Sequence, residues 1–551
     1  MSQKIGQFLL FSILILLCIF LLQDILGVKA DTATTSVTVT GGAPATPSSV
    51  SDGGITSTNP VNVGGTITFT GTADDPNGDQ YYLAVCKTNA ISANNNATPT
   101  CTGGEFCYSV PTNDNTQATC ATTAAAYMAE TSTWYMFACD KVASSQCSAS
   151  TQGTGDNGSP VHINHAPNFT DATNDGPKDP GATLTITATA NDPDVTHSDT
   201  VKLVVCKTQG VSGTACDGGD SDTWCTSSLS ASNPSCGFTV PTPAAHGASS
   251  SYVYVFDSHN MAAGGAVQNT EEQFTVNDVA PTVSAVEINS GATINVATGG
   301  EGPGGSVNIN ATGTVTDNNG CADVASVTSS AYTTDVGAAS CTATNNNTCI
   351  YNVSCSASDS CTSGTTRKYA CVYNYKFHAS PTDNNTPLAA QTWKNTIYAL
   401  DGSQMGSGEL STGVELQSFV SMDMTTAIAY GSLTVGQISD TTALPQTTYV
   451  TSTGNTGLDI NLKGTAMNDG GSNNIVVGAQ KYATSGVQYQ NATALTANDV
   501  ELETNIKKPT TTSYLPAGVV MWGLKVPDGT VAGSYSGTVT SSAVMAETAD
   551  W

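Results

Sequence analysis

The stretch "GGTITFTGTADDP" (Gly64–Pro76) recurs further along the chain as "GATLTITATANDP" (Gly181–Pro193). In both copies apolar residues alternate with threonine, the period-two pattern of a strand that buries one face. Both then run into Asp-Pro, a turn-forming pair that ends the strand. The sequel recurs as well. "LAVCKT" (Leu83–Thr88) returns as "LVVCKT" (Leu203–Thr208), a more continuously apolar strand closed by a cysteine. "CTGGEFC" (Cys101–Cys107) resembles "CDGGDSDTWC" (Cys216–Cys225), Cys120 corresponds to Cys236, and "WYMFACD" (Trp134–Asp140) aligns with "YVYVFD" (Tyr252–Asp257). A more distant third copy opens at "GSVNINATGTVTDNNGCADV" (Gly305–Val324) and reaches "WKNTIYALD" (Trp393–Asp401).

Clusters of Gly, Asn, Asp and Pro separate these strands, and no convincing amphipathic helix of ordinary length interrupts them. Units a little over a hundred residues long with this rhythm read as Ig-like β-sandwiches. The expected fold class is all-β: tandem Ig-like sandwiches, disulfide-stabilised, followed by a C-terminal β-sandwich domain. The junctions repeat too, since "VTGGAP" ends at Pro44, "INHAP" at Pro167 and "VNDVAP" at Pro281. An Ala-Pro after a strand-like run makes a short, stiff connector. These marks place repeats at 45–164, 168–278 and 282–417, the last divergent, and a fourth domain at 418–551, with 31–44 as a linker or strand remnant. In the fourth domain "VVMWGLKVPDGTVAGSYSGTVT" (Val519–Thr540) reads as two strands around a Pro-Asp-Gly turn.

The run "TFTGTADDPNGD" (Thr68–Asp79), the "YALD" strand end (Tyr398–Asp401) and the Ala-Pro junctions resemble the tandem Ig-like, cadherin-like or PKD-like repeats of bacterial and archaeal surface proteins. The Cys-Lys-Thr strand with its cysteine-rich insert is similar to repeats in predicted secreted proteins of candidate-phylum bacteria. The resemblance implies fold, secretion and a structural or adhesive role. No catalytic residue comes with it.

Bulk chemistry agrees with export. Only 11% of the 551 residues are charged, and the formal net charge is −28. With 16 Lys and Arg in all, phosphate-binding patches are scarce, so nucleic acid is not expected as a partner. Lys4, the apolar run Phe8–Leu22 and "VKA" (Val28–Ala30) read as a signal peptide over 1–30, leaving no stable membrane span after cleavage. Setting aside Cys18 within that run, the cysteines number 16, and they divide evenly among the expected domains. Cys86, Cys101, Cys107, Cys120, Cys139 and Cys147 fall in the first. Cys206, Cys216, Cys225 and Cys236 fall in the second, and Cys321, Cys341, Cys349, Cys355, Cys361 and Cys371 in the third. Cys139 and Cys147 have no counterparts in the second repeat, so they are expected to pair with each other. That leaves four cysteines in each of the first two repeats, and four allow three connectivities, with neighbour pairing (86–101 and 107–120) preferred because each link closes a short loop.

The acidic corners are the candidate chemistry. Calcium takes six to eight hard oxygens, usually from converging loops. In an Ig-like sandwich the loop between strands B and C and the loop after strand F share one end. Asp75, Asp79 and Asp140 are therefore expected to converge in the first repeat. Asp192, Asp199 and Asp257 would do so in the second, and Asp317, Asp323 and Asp401 in the third. The same end receives the preceding linker, so calcium there would stiffen the junction, as the cadherin resemblance implies. Asp and Asn are also ordinary turn formers, and spacing leaves that plainer reading open. No metalloprotease, nucleophile-elbow or phosphate-loop pattern is present, and the six histidines are scattered, so no enzyme is expected. Trp134 and Trp393, at one repeat position, point to core packing. The sequence thus suggests an exported, non-enzymatic structural or adhesion protein at the cell surface, with calcium as its one suggested cofactor and an unknown protein or glycan as its ligand. The alternatives are a carbohydrate- or protein-binding accessory module and a surface-layer or fibre subunit.

Overall fold

The structure, a computed structural model, describes residues 42–440 and 442–551. The signal peptide and most of the first linker lie outside the described residues. Four large apolar cores follow one another along the chain, and each is assembled from strands of its own segment. Among the described residues the one α-helical piece is the four-residue turn Gly337–Ser340.

The first two cores are built alike. The alternating strand Thr66–Thr72 buries Ile67, Phe69 and Gly71 and lies between Ser48–Ser51 and Gln117–Thr123. Facing it, Tyr81–Cys86 runs between Tyr135–Asp140 and Glu105–Tyr108. Tyr81–Cys86 is buried on both faces, which explains its continuous apolar character: a second small core (Cys86, Cys101, Phe137) covers its outer side. The second unit repeats the plan. Thr183–Asn191 lies between Asn168–Asn174 and Ser235–Thr239, and Val201–Cys206 between Thr223–Thr226 and Tyr252–Asp257. Tandem antiparallel sandwiches result, all-β and closed by eight disulfides among the described residues.

Cys86 joins Cys101, Cys107 joins Cys120, and Cys139 joins Cys147, with Cys206–Cys216 and Cys225–Cys236 the second unit's counterparts. The third unit pairs Cys321–Cys361, Cys341–Cys349 and Cys355–Cys371. Its strands also form one seven-stranded sheet rather than two. In the first two units only a disulfide (Cys107–Cys120, Cys225–Cys236) bridges the two sheets, whereas here the long strands Cys349–Ala357 and Thr366–Lys376 also pair, in register at the Cys355–Cys371 disulfide. Trp393 is fully buried here, as Trp134 is in the first unit.

The fourth unit corrects one expectation. Of the run Val519–Thr540, read as two strands around a turn, only the first half is a strand, within Ala517–Leu524, and the next strand, Val539–Met545, begins at the run's end. The first pairs with Gln446–Ser452 and Gln480–Ala483, the second with Leu458–Gly464 in the opposite sheet. The chain between them, 525–538, is turn and isolated bridges and carries it from one sheet to the other, with Trp522 fully buried in the core.

Candidate metal centres at the module junctions

Each corner is built from one repeated device. An aspartate at a strand end folds back so that one carboxylate oxygen accepts the amides of the next turn. Asp75 Oδ1 accepts from the amides of Asn77 (2.8 Å) and Asp79 (3.4 Å). Asp192 Oδ1 takes the amide of Asp194 and Asp317 Oδ1 that of Asn319, both at 2.8 Å. At the partner strand ends Asp140 Oδ1 accepts from Gln146, Asp257 Oδ1 from His259 and Met261, and Asp401 Oδ1 from Ser403 and Gln404. These turns account for half of each carboxylate. The second oxygens of Asp75, Asp140, Asp192, Asp317 and Asp401 are buried with no hydrogen-bond partner. None of the five residues is more than 6% exposed. A turn needs one acceptor oxygen, and leaving a buried anion's other oxygen without a partner costs more than it would for a neutral polar group.

The carboxylates at the strand ends sense one another's charge. Burial raises Asp140 above the ordinary carboxylate range, and the neighbouring charges of Asp75 and Asp79 add to the shift. Asp79 is raised by burial and then by Asp75. In the second unit burial, followed by the carboxylates of Asp194, Asp257 and Asp199, pushes Asp192 up to about 7. Asp257 is raised chiefly by burial. In the third, burial raises Asp317, with Asp323 and Asp401 contributing. The tightness of the three differs. Asp192, Asp194 and Asp199 bring ligand atoms within 4.8 Å of one another. The third corner closes to that distance through Asp323 together with Asp278 and His246, while Asp75, Asp79 and Asp140 form no such set among the described residues.

The linker enters through the residue two beyond each corner aspartate. Asn77 Oδ1 accepts the amide of Gly42 (2.8 Å), Asp194 Oδ2 that of His165, and Asn319 Oδ1 that of Val279 (2.8 Å). Gly42, His165 and Val279 each stand two residues before the junction proline, so the clamp is the same three times. At the first junction Asn164, fully buried, donates to Asp257 Oδ2 at 2.8 Å and keeps an unpartnered Oδ1. The preceding unit reaches across as well. Glu130 accepts the amides of Thr196 and His197, and His165 places its two ring nitrogens 2.7 Å from Asp194 Oδ1 and 3.0 Å from the Met128 carbonyl. His259 lies 3.2 Å from Asp199 Oδ2. At the second junction Asn319 donates to the carbonyls of Ala244 and Asn277, and His246 Nδ1 stands 3.0 Å from Asp278 and 3.6 Å from Asp323.

Sequence reasoning missed Asn164, Asp194, Asn319, Asp278 and His246. The available signal was the acceptor side chain two places after each corner aspartate: Asn77, Asp194, Asn319. A further carboxylate group in the fourth unit, Asp459 with Glu503 and Glu547, was also missed. Cys206 and Cys216 lie beside Asp222, but their sulfurs are bonded to each other and offer no thiolate.

No protein-family model matches the chain, and no curated protein matches it. Among solved structures, the FN1–FN3 domains of chicken CNTN1 share 8% identity, covering 67% of this chain and 99% of that one at a TM-score of 0.20. The Ig1–Ig3 ectodomain of mouse nectin-like molecule 4 shares 11%, covering 65% and 96% at 0.28. Immunoglobulin domains 1–5 of Sidekick-1 share 13%, covering 88% and 77% at 0.24. At such scores these overlaps carry no argument, and the fold assignment rests on the sheet topology above. Among the described residues no helix is long and apolar enough to cross a membrane.

Proposed function

We propose that this chain is an exported, non-enzymatic structural or adhesion protein whose junctions are stiffened by calcium. The carrying observation is the second corner. Asp192, Asp194, Asp199 and Asp257 meet there with Asn164, the last residue of the first unit, and buried oxygens of Asp192 and Asn164 lack any partner. Calcium accepts such a set: several carboxylates, an amide oxygen, and no demand for rigid geometry. Its ligands belong to both sides of the junction, so binding would restrict the angle between modules. Eight disulfides support an oxidising destination. The test is a calcium titration by calorimetry on the full chain, together with fractionation of the producing cells. Saturable binding that loses about one calcium per chain in Asp192→Asn with Asp257→Asn, and recovery outside the cytosol, are expected. Undiminished binding in that variant, or a reduced cytosolic protein, would contradict the reading.

A further inference from the structure

The fourth unit carries no corner aspartate, no Ala-Pro linker and no cysteine, yet it buries an anion of its own. Asp459 lies on the central strand of its three-stranded sheet, between Val500–Ile506 and Val539–Met545, and is fully buried. On the Val500–Ile506 side the register slips: Leu458 opposes Ile506 and Ile460 opposes Leu502, so three residues bulge opposite Asp459. The bulge wraps one oxygen. Asp459 Oδ1 accepts the amides of Thr504 (2.6 Å) and Asn505 (2.8 Å), with Asn505 in the left-handed region at φ 51°. Bulges of this kind re-aim side chains at sheet edges and sites. Here the bulge brings Glu503 to the free face of Asp459. From the other side the strand Val539–Met545 ends, Ala546 bonds its amide to the Gly457 carbonyl, and the chain turns through Glu547 into Thr548–Asp550. Asp459, Glu503 and Glu547 then bring ligand oxygens within 4.8 Å of one another.

Asp459 Oδ2 is buried without a partner. Among the described residues no ion pair joins Lys, Arg or His to any of the three carboxylates. Lys507, one residue past the bulged strand, donates to the Trp551 carbonyl at 3.2 Å. Glu503 is raised above its ordinary range by Asp459 first and Glu547 next, the mark of like charges crowded together. Three carboxylates with no nitrogen or sulfur donor make a hard, all-oxygen set, which favours calcium over zinc or copper. Glu503 and Glu547 are exposed, leaving room for waters to complete the shell.

We propose that Asp459, Glu503 and Glu547 form a calcium site within the fourth unit, which pins the turn carrying Trp551 onto the Leu458–Gly464 strand. The proposal stands apart from the junction reading, since it shares no residue with it. Trp551 supplies a local reporter, because its indole donates to the Ala546 carbonyl at 3.0 Å, next to Glu547. The experiment is terbium luminescence, excited through tryptophan, on the disulfide-bonded full chain, with calcium as competitor and binding stoichiometry from equilibrium dialysis. Glu503→Gln with Glu547→Gln, both exposed, should lose one calcium per chain and most of the emission that Trp551→Phe also removes. Asp192→Asn with Asp317→Asn should leave that emission in place. Unchanged stoichiometry and emission in the double glutamine variant would overturn the site. So would emission that survives Trp551→Phe but vanishes in the junction variant, which would place the bound ion at the junctions alone.

Discussion

Removing divalent cations should make the second module lose stability as the pH rises. Asp192 is 5% exposed and surrounded by Asp194, Asp257 and Asp199, and its carboxyl is pushed from 3.8 to about 7. A raised folded value means the folded state holds that proton more tightly than the unfolded chain. The resulting stabilisation is complete below about pH 4, is lost progressively as the pH climbs, and is gone above about pH 7. A rise of that size corresponds to a ceiling of ~4 kcal/mol. Half the ceiling, ~2 kcal/mol, would lower the melting temperature of a module of about a hundred residues by roughly 10 °C. Calcium at millimolar concentration should restore most of it at neutral pH and little near pH 4, where the ligands are protonated. Scanning calorimetry of the full chain across this range, in chelator and in calcium, reads the effect directly. Asp192→Asn should flatten the slope in chelator and abolish the calcium gain. A chelated protein whose second transition ignores pH between about 5 and 7.5, or an Asp192→Asn variant with the wild-type slope, would refute the reasoning.

Other consequences follow from the same contacts. Asn319→Ala removes the acceptor for Val279 and both donors to Ala244 and Asn277, so it should free the second junction while moving the melting of either module by no more than ~1–3 kcal/mol; interdomain distance distributions from paired spin labels check this. Cys321→Ala with Cys361→Ala opens the widest disulfide loop, 40 residues apart, and should destabilise the third module by about 2–5 kcal/mol in denaturant melts, leaving the first and second unaffected. Gly406→Ala would place a Cβ 1.6 Å from the Pro281 carbonyl oxygen, so it should displace the edge strand Met405–Glu409 from the linker and expose it to limited proteolysis.

The repeat carried most of the fold into view. Thr66–Thr72 and Thr183–Asn191 alternate because one face meets the core, and Tyr81–Cys86 is apolar throughout because both faces are covered; each pattern is a direct imprint of burial. The corner aspartates were legible for the same reason, since a repeated topology returns the same strand ends to the same place. What stayed hidden belongs to neighbours. Asn164 and Asp278 close the preceding unit, and Glu130 and His246 lie in its loops, so no spacing within a repeat brings them to the corner they serve. Asp459, Glu503 and Glu547 sit on separate strands joined by a bulge, and a register slip leaves no periodic trace. The third unit's disulfides were equally opaque, because Cys355 and Cys371 face each other only once two long strands have paired. In the fourth unit the Thr/Ser/Gly-rich half of the run Val519–Thr540 looked like a strand, whereas it is turn and isolated bridge that leads to Val539–Met545 in the opposite sheet.

Small-angle X-ray scattering of the full chain, recorded in millimolar calcium and again after chelation, tests the central claim most directly. If the corners bind calcium across the junctions, the saturated protein should scatter as an extended particle of fixed shape. Chelation should then broaden its pair-distance distribution, and Asp192→Asn with Asp317→Asn should show the broadened form in either buffer. Superimposable curves with and without calcium, at concentrations where the intact corners ought to be filled, would contradict it.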